Sequence, residues 1–437
     1  MNKTSRVIKE KLTSLIKKMG DFPSPYVKNP GKDFTRNRKL SFETVVQLLI
    51  SMGGNSIYKE LLEAQGYDLN TATASAFIQQ RDKILPSAFE FLFREFTKTY
   101  TDIKTYRGYR LLAADGSDLH TPTNPLDQDA YFQNRSGEKG YNLLHLNALY
   151  DLQNRIYVDA LVQARRNANE YKALTTMVDQ SSIVGNVILT ADRGYESLNV
   201  FAHIEQKGWN YLIRVKDLGS NGILSGLKLP TSGEFDLCVN RILTRKQTKE
   251  IKMHPDIYKF MPANQAFDFL PLRTDQLYPI SFRIVRFKIG ENAYETVITN
   301  LNASDFTPED LKELYRLRWG IETSFRELKY SVGLINFHSK KQNCIVQEIF
   351  TRMIMYNFAE MITSHVIISR YDTIHAYQVN FTIAIHICRH FLRLQNNAPP
   401  FDVEALIRKN ILPIRPDRKH KRKVRCRSSV SFTYRVA

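Results

Sequence analysis

Two aspartates stand at the ends of hydrophobic segments that are typical of strands. Asp115 ends the segment YRLLAAD and precedes Gly116, and Asp192 ends NVILTAD and precedes Arg193. Strand ends that flank a crevice are where α/β sheets assemble active sites, so both carboxylates are candidate active-site groups. An aspartate at a strand exit is also a common turn residue, and each aspartate taken alone indicates no more than a turn.

A helix predicted from Thr307 to Tyr330 would present a polar row beside an apolar stripe. At about 100° per residue, four polar side chains fall in a sector of about 60° and can face one object together. They are Tyr315, Arg318, Glu322 and Lys329. The apolar stripe would pack on the sheet and hold Glu322 at the edge of the crevice. The alternative is a surface helix with an ordinary Arg318–Glu322 ion pair.

The segments around these residues predict an α/β fold. Strands are predicted at 109–115, 143–152, 155–164, 186–192 and 209–216, with helices at 169–180 and 197–208. Three strands followed by helix, strand, helix and strand indicate a mixed sheet with flanking helices. This is also the strand order of a ribonuclease H-like core.

Changes in composition divide the chain into six predicted regions. They are a basic N-terminal arm (1–40), a helical domain (41–105), the first part of the core (106–216), a β-rich insertion (217–305), the second part of the core with C-terminal helices (306–400) and a basic tail (401–437). The helical domain carries Arg81, Lys83 and Arg94, and it either reads DNA in a groove or caps the core.

The positive charge lies mainly at the two ends of the chain. The formal net charge is +18, of which residues 1–40 contribute +8 and residues 415–427 contribute +7. Basic arms on a nearly neutral body suit a polyanion such as DNA. The four cysteines form no Cys-x-x-Cys pair, the N-terminus does not resemble a signal peptide, and no stretch has the ~18–20 apolar residues that span a bilayer. We therefore expect a cytoplasmic protein without a membrane partner.

The spacing of the whole set of polar residues is more specific than any one of them. The chain contains Asp-Gly-Ser at 115, Asp-Arg-Gly-Tyr at 192 and Tyr-x2-Arg-x3-Glu-x6-Lys from Tyr315 to Lys329. It resembles the DDE transposases of bacterial insertion sequences that carry the YREK signature, over roughly residues 40–370. In that family a β-rich insertion separates the second and third acids, and here that gap is 130 residues against 77 between the first two.

The resemblance implies that Asp115, Asp192 and Glu322 are catalytic and hold two Mg²⁺ ions, for which Mn²⁺ is expected to substitute. Water would first free a 3′-OH at the element end, and that 3′-OH would then attack target DNA. The resemblance implies that Tyr315, Arg318 and Lys329 bind DNA. We also expect Arg193 and Arg326 to bind DNA.

The same resemblance implies double-stranded DNA as the partner, both at the terminal inverted repeats and at the target. We expect a homodimer in the synaptic complex and a location at the bacterial nucleoid. Two alternatives stay open at this point: a ribonuclease H-like nuclease without strand transfer, and a catalytically inactive DNA-binding regulator. Inverted repeats flanking the gene would favour the transposase over the regulator.

The basic tail gives a first testable prediction. Deleting residues 415–437 is expected to weaken DNA binding and to flatten its dependence on salt, because each lost phosphate contact lowers the slope of log affinity against log salt by about 0.9. Fluorescence anisotropy of labelled DNA at several salt concentrations measures both. An unchanged slope would show that the tail does not contact DNA.

Overall fold

The protein is described by a computed structural model covering residues 3–36, 38–133, 137, 140–368, 376–394, 399 and 401–414. The basic segment 415–427 lies outside the described residues. The helices are α1 Lys3–Asp21, α2 Phe42–Ser51, α3 Ile57–Ala64, α4 Ala74–Arg81, α5 Pro86–Lys98, α6 Glu170–Gln180, α7 Leu198–Gln206, α8 Lys249–Met253, α9 Pro308–Leu317, α10 Trp319–Tyr330, α11 Gln342–Thr363, α12 Phe381–Arg393 and α13 Val403–Lys409. The strands are β1 Arg110–Thr121, β2 Tyr131–Phe132, β3 Tyr141–Asp151, β4 Ile156–Ala164, β5 Val187–Ala191, β6 Asn210–Val215, β7 Phe235–Thr244, β8 Tyr258–Phe260, β9 Leu277–Gly290, β10 Ala293–Thr299, β11 Tyr377–Val379 and β12 Ile411–Pro413.

One large mixed sheet organises the molecule. Its strand order is β2-β3-β1-β5-β6-β10-β9-β7-β8, with β4 paired to β3. Strand β3 pairs antiparallel with both β1 and β4, whereas β5 lies parallel to β1 and β6 lies parallel to β5. This confirms the predicted mixed sheet with flanking helices.

Both faces of the central strands are covered, which explains why β1 begins as a continuous apolar run. Ala113 belongs to the same core cluster as Ile321 of α10 and Met353 of α11. Leu112 lies on the opposite face, in a cluster with Leu174 of α6 and helix α7. Successive strand residues point to opposite faces, so a strand buried on both sides needs apolar residues at every position.

Strand β1 is longer than its sequence predicted. We expected it to end at Asp115, but its pairing with β3 continues to Thr121. Its pairing with β5 stops at Ala114, opposite Ala191. Asp115 therefore lies inside a strand, at the first position where the neighbouring parallel strand is absent. The prediction failed because cross-strand pairing with β3 overrides the turn-like composition of Asp-Gly-Ser.

The helix predicted from 307 to 330 is divided into α9 and α10. Its start is as expected, since Thr307 and Asp310 form a reciprocal capping box with Pro308 in the first turn. At Arg318 the backbone tightens, because the Ile321 N–H bonds the Arg318 carbonyl three residues back. The two helices then pack in different clusters, α9 beside β9 and β10 and α10 beside β1 and α11.

The predicted β-rich region supplies strands β7 to β10 and the short helix α8. These strands extend the central sheet, because β10 pairs antiparallel with β6 and β9 pairs with both β10 and β7. The chain thus leaves the core after β6 and returns to it through β10. Helix α9 follows, which places α10 over β1.

The N-terminal helices form a layer against α11. Leu12 and Ile16 of α1 are fully buried in the core cluster, so the basic N-terminal segment is part of the folded layer. Arg81 is buried and bonds Glu348, and Arg94 pairs with Asp159 of β4. These two arginines are held within the molecule, which favours the helical cap over a groove-reading module.

Helix α11 is the most enclosed helix of the layer. It is buried along nearly its whole length, including polar residues such as Gln347, Arg352 and Asn357. Its polar groups are paired internally, for example Arg352 with the carbonyls of Met52 and Gly53. Within the described ranges, no helix combines the length and apolar character that a bilayer crossing requires.

A buried ion pair fastens α4 to α11. Glu348 lies 2.9 Å from Arg81 Nη1 and 3.0 Å from His338 Nδ1, and the carboxylate and guanidinium are each 2% exposed. Burial alone would raise the pKa of Glu348, but the charges of Arg81 and His338 outweigh it and hold the pKa well below its usual range. The pair therefore stabilises the folded protein only while Glu348 stays ionised.

We expect Glu348→Gln to lower the free energy of unfolding at neutral pH by about 3–5 kcal/mol, because it leaves a charged Arg81 unpaired in the interior. Since the pKa is depressed in the folded state, the contribution is complete above about pH 4.5, the usual value, and is lost as the pH falls below it. Urea unfolding of both proteins at neutral and acidic pH measures the difference.

The matched control is Glu95→Gln, which breaks the surface pair that Glu95 forms with Lys98 at 2.6 Å. It should cost less than about 1 kcal/mol. Equal losses for the two variants would contradict a special role for the buried pair.

Candidate active site

Asp115 is the most perturbed of the predicted acids. Its Oδ1 accepts the Gly116 N–H at 2.8 Å. Burial raises its pKa to about 6; the Gly116 N–H and the charge of Arg318 oppose the rise, and the charges of Asp192 and Glu322 add to it. Because both other acids act on Asp115, the three carboxylates share one region at the end of β5 and the start of α10.

Asp192 follows β5 directly and caps a short turn. Its Oδ1 accepts the Gly194 N–H at 2.8 Å. This is the bond of the turn aspartate that the sequence also allowed. The carboxylate nevertheless stays near Asp115, since its charge contributes to the raised pKa there. The turn therefore fixes Asp192 at the crevice beside β1.

Glu322 comes to the site from α10 together with Arg318. Its Oε1 lies 2.8 Å from Arg318 Nη2, so the predicted ion pair is present. It is not a surface pair, because Arg318 is only 9% exposed and also acts on Asp115. Arg318 therefore neutralises part of the negative charge that the acids create.

Two buried polar atoms beside this pair lack a hydrogen-bond partner within the part of the chain that the structure describes. They are the Tyr315 hydroxyl and Arg318 Nε, in side chains that are 7% and 9% exposed. The Arg318 guanidinium lies 5.6 Å from the centre of the Tyr315 ring. Leaving a buried donor unsatisfied costs about 1–3 kcal/mol. Both atoms could bond an anionic oxygen of a ligand.

The remaining predicted residues surround this centre less closely. Lys329 donates to the Asp118 carbonyl at 2.9 Å and so attaches α10 to β1. Burial lowers the pKa of Lys329, and the carboxylates of Asp118 and Asp115 oppose that change. Arg193 and Arg326 are exposed, and no hydrogen bond or ion pair joins either side chain to another described residue.

The side chains of this region suit a metal ion chemically, although they do not form a complete set of ligands. In the described ranges, no group of three or more His, Cys, Asp or Glu side chains is positioned to hold an ion. The donors are carboxylates, which suit Mg²⁺ and Mn²⁺. The mutual repulsion at Asp115 is what a bound cation would relieve.

Comparison with known proteins then decides the family. Residues 106–358, more than half of the chain, match the family described as "Transposase DDE domain". The chain belongs to the DDE transposase family. No curated protein matches the transposase. The chain is also similar to a solved structure, "Cryo-EM structure of piggyBac transposase synaptic complex with hairpin DNA (SNHP)", with 11% sequence identity and a TM-score of 0.44. The match covers 93% of this chain and 81% of the other chain.

Sequence reasoning missed two residues of the transposase that lie beside Asp115 and Asp192. His145 of β3 contacts Glu170, the first residue of α6, at 3.0 Å. A signal for His145 was present, because His145 and Asn147 are polar residues two apart in an otherwise apolar strand and must share a face. Glu170 follows the capping residue Asn169 and reads as an ordinary helix start.

The raised pKa of Asp115 predicts that this acid opposes folding. With divalent ions removed, Asp115→Asn is expected to be more stable than the parent protein at pH 8 by about 1–3 kcal/mol, because it removes a buried charge and keeps the oxygen that accepts from Gly116. The stability advantage of the variant should shrink as the pH falls from 8 through about 6 towards 3.8, the usual value, since folded Asp115 then takes up a proton before the unfolded chain does.

Thermal unfolding in a chelator across this pH range checks both statements. The exposed Asp256→Asn is the matched control and should change stability by less than about 0.5 kcal/mol. An Asp115→Asn protein that is less stable than its parent at pH 8 would contradict the prediction.

Proposed function

We propose that this transposase binds the ends of its insertion sequence and catalyses metal-dependent DNA cleavage and strand transfer. The observation that carries the proposal is that the charges of Asp192 and Glu322 both act on the buried Asp115, where the pairing of the central strands β1 and β5 ends. Like charges are costly to gather, and their presence at one place indicates a role that needs them.

We further propose a ribonuclease H-like core. The order β4-β3-β1-β5-β6, with β3 antiparallel to β1 and both β5 and β6 parallel to it, supports this assignment. In such a core the first acid lies on the central strand and the second follows its parallel neighbour. The third acid would come from the helix that returns after the β-rich region.

In this proposal Asp115, Asp192 and Glu322 would hold two Mg²⁺ ions, and Mn²⁺ would substitute. When bound, the ions would supply activation of the attacking oxygen and stabilisation of the leaving one. The protein side chains position these groups. Arg318 holds Glu322 in an ion pair, and the Gly116 and Gly194 N–H groups orient the two aspartates.

DNA phosphate is the anion proposed for the orphaned donors. The Tyr315 hydroxyl and Arg318 Nε would bond phosphate oxygens near the scissile bond, and a guanidinium suits this because it can donate two parallel bonds. Lys329 adds positive charge beside β1. The exposed Arg193 and Arg326 would contact the DNA backbone on either side.

The proposed partners are the terminal inverted repeats and a target DNA, brought together by a homodimer of the transposase in the bacterial cytoplasm at the nucleoid. Their polyanionic character agrees with the excess of positive charge on the chain. The DDE family membership supports this reading over a regulator that does no chemistry.

The test is a cleavage and strand-transfer assay on the native element ends. Asp192→Asn should abolish Mg²⁺-dependent cleavage, because it removes a ligand charge, while leaving affinity for end DNA within a few-fold. The matched control is Asp256→Asn, in an exposed segment of the β-rich region. Product gels and anisotropy measure the two quantities.

Cleavage that survives Asp192→Asn would remove this residue from the site. Cleavage by the parent protein without joining of the freed 3′ end to a second DNA would instead identify a nuclease. Binding of end DNA with no cleavage in Mg²⁺ or Mn²⁺ would favour the regulator.

A further inference from the structure

A buried histidine links two carboxylates on the far side of β1 from Asp115. His145 Nδ1 lies 2.6 Å from Asp118 Oδ1, and Nε2 lies 3.0 Å from Glu170 Oε1. The histidine side chain is 4% exposed, whereas the carboxylates are 39% and 35% exposed. Such a bridge ties strand β1 to the first turn of α6.

Gly116 makes room for this bridge. A β-carbon at position 116 would clash with His145 Nε2 and would lie 3.2 Å from Glu170 Oε1. The imidazole and the glutamate therefore meet directly across the strand, at the residue that follows Asp115. The glycine of Asp-Gly-Ser is needed for this approach, whereas its backbone does not adopt a positive φ.

Glu170 also reaches the turn that carries Asp192. A β-carbon at Gly194 would lie 2.8 Å from Asp192 Oδ1 and 3.8 Å from Glu170 Oε2. Both carboxylates thus lie within 3.8 Å of this one position in the turn. Glu170 thus connects the His145 bridge on β1 with the turn that follows β5. Both lie beyond the last residue pair of these two strands.

The ends of the bridge are themselves fixed. Gln163 of β4 accepts both from the Asn147 side chain and from the Asn169 N–H at the start of α6. On β1, Arg165 pairs with the Asp118 carboxylate at 3.0 Å, and Lys329 bonds the Asp118 carbonyl. His145 is the link between two anchored elements.

We propose that His145 is a positioning residue, which sets the distance between Asp115 and Asp192 by holding β1 and the start of α6 together across Gly116. This inference rests on the proposed function of the two aspartates. His145 touches neither the acids nor DNA in the described structure, and it acts through Asp118 and Glu170. Residues that support metal ligands in this way typically change metal affinity or activity by about 10–100-fold when replaced.

The histidine is suited to a permanent link. Burial alone would lower its pKa, but the hydrogen bond to Asp118 and the charges of Asp118 and Glu170 outweigh burial and raise the pKa to about 9. It is therefore a cation at neutral pH and can attract both carboxylates at once.

The chain supplies a matched control for its removal. His203 of α7 also lies between two carboxylates, at 2.9 Å from both Asp179 and Asp268, and its side chain is 11% exposed. It joins α6 and α7 to the β-rich region, away from Gly116. Replacing either histidine by asparagine removes one buried bridge, but only the first bridge adjoins the acids.

Mn²⁺ binding to the full-length protein without DNA is measured by titration calorimetry, and unfolding temperature is measured in the same samples. His145→Asn is expected to weaken Mn²⁺ binding by about 10-fold or more, and to raise the Mg²⁺ concentration for half-maximal cleavage similarly. His203→Asn should leave Mn²⁺ affinity within two-fold at a comparable loss of unfolding temperature.

A second variant keeps the test decisive if His145→Asn fails to fold. Glu170→Gln retains the size and an accepting oxygen but loses the charge that attracts the imidazolium, and it should weaken Mn²⁺ binding by several-fold. Parental Mn²⁺ affinity in the variants that fold, with only a lower unfolding temperature, would overturn the inference alone. A parent protein that neither binds Mn²⁺ nor cleaves DNA would overturn the proposed function as well.

Discussion

Burial of Asp115 near two other carboxylates is the constraint on which the described site depends. Asp115 lies in a largely buried position and receives the charges of two other acids, so that its pKa rises to about 6. A fold optimised only for stability would separate these groups or pair each with a cation. Here a single arginine, Arg318, faces both Asp115 and Glu322. The remaining imbalance is the physical basis for placing a metal-dependent site at this edge of the sheet.

The sheet meets this constraint through unequal strand lengths. Strand β1 continues seven residues past its last pair with β5, and this leaves a gap into which both aspartates can project. This segment of β1 is paired on one side only, so other contacts must hold its second side. Support comes from β3 on one side, from Lys329 of α10 at the Asp118 carbonyl, and from the His145 bridge to α6. These contacts fix the part of β1 that follows Asp115.

Local patterns allowed much of the fold to be predicted, and long-range contacts explain the rest. The Thr307 cap was predictable because its partner Asp310 is three residues away. The buried strands were predictable because both faces are apolar. The continuation of β1 was not, since it depends on pairing with β3 rather than on the polar residues themselves. The break at Arg318 likewise reflects the packing of α9 and α10 in different clusters. The helical period of the sequence does not predict such a division.

The site itself shows the same division. Asp115, Asp192 and Glu322 were predicted from order and spacing, and their catalytic role stays a prediction; in the structure the charges of Asp192 and Glu322 act on Asp115. Tyr315 and Arg318 were predicted on one side of a single helix, and the structure divides that helix at Arg318, between Leu317 and Trp319. Glu170 carried no distinguishing signal, because a glutamate in the first turn of a helix is favoured by the helix dipole alone. Its position becomes meaningful only beside Gly116 and Gly194, where the absence of two side chains allows it to approach the backbone one residue after Asp115 and two residues after Asp192.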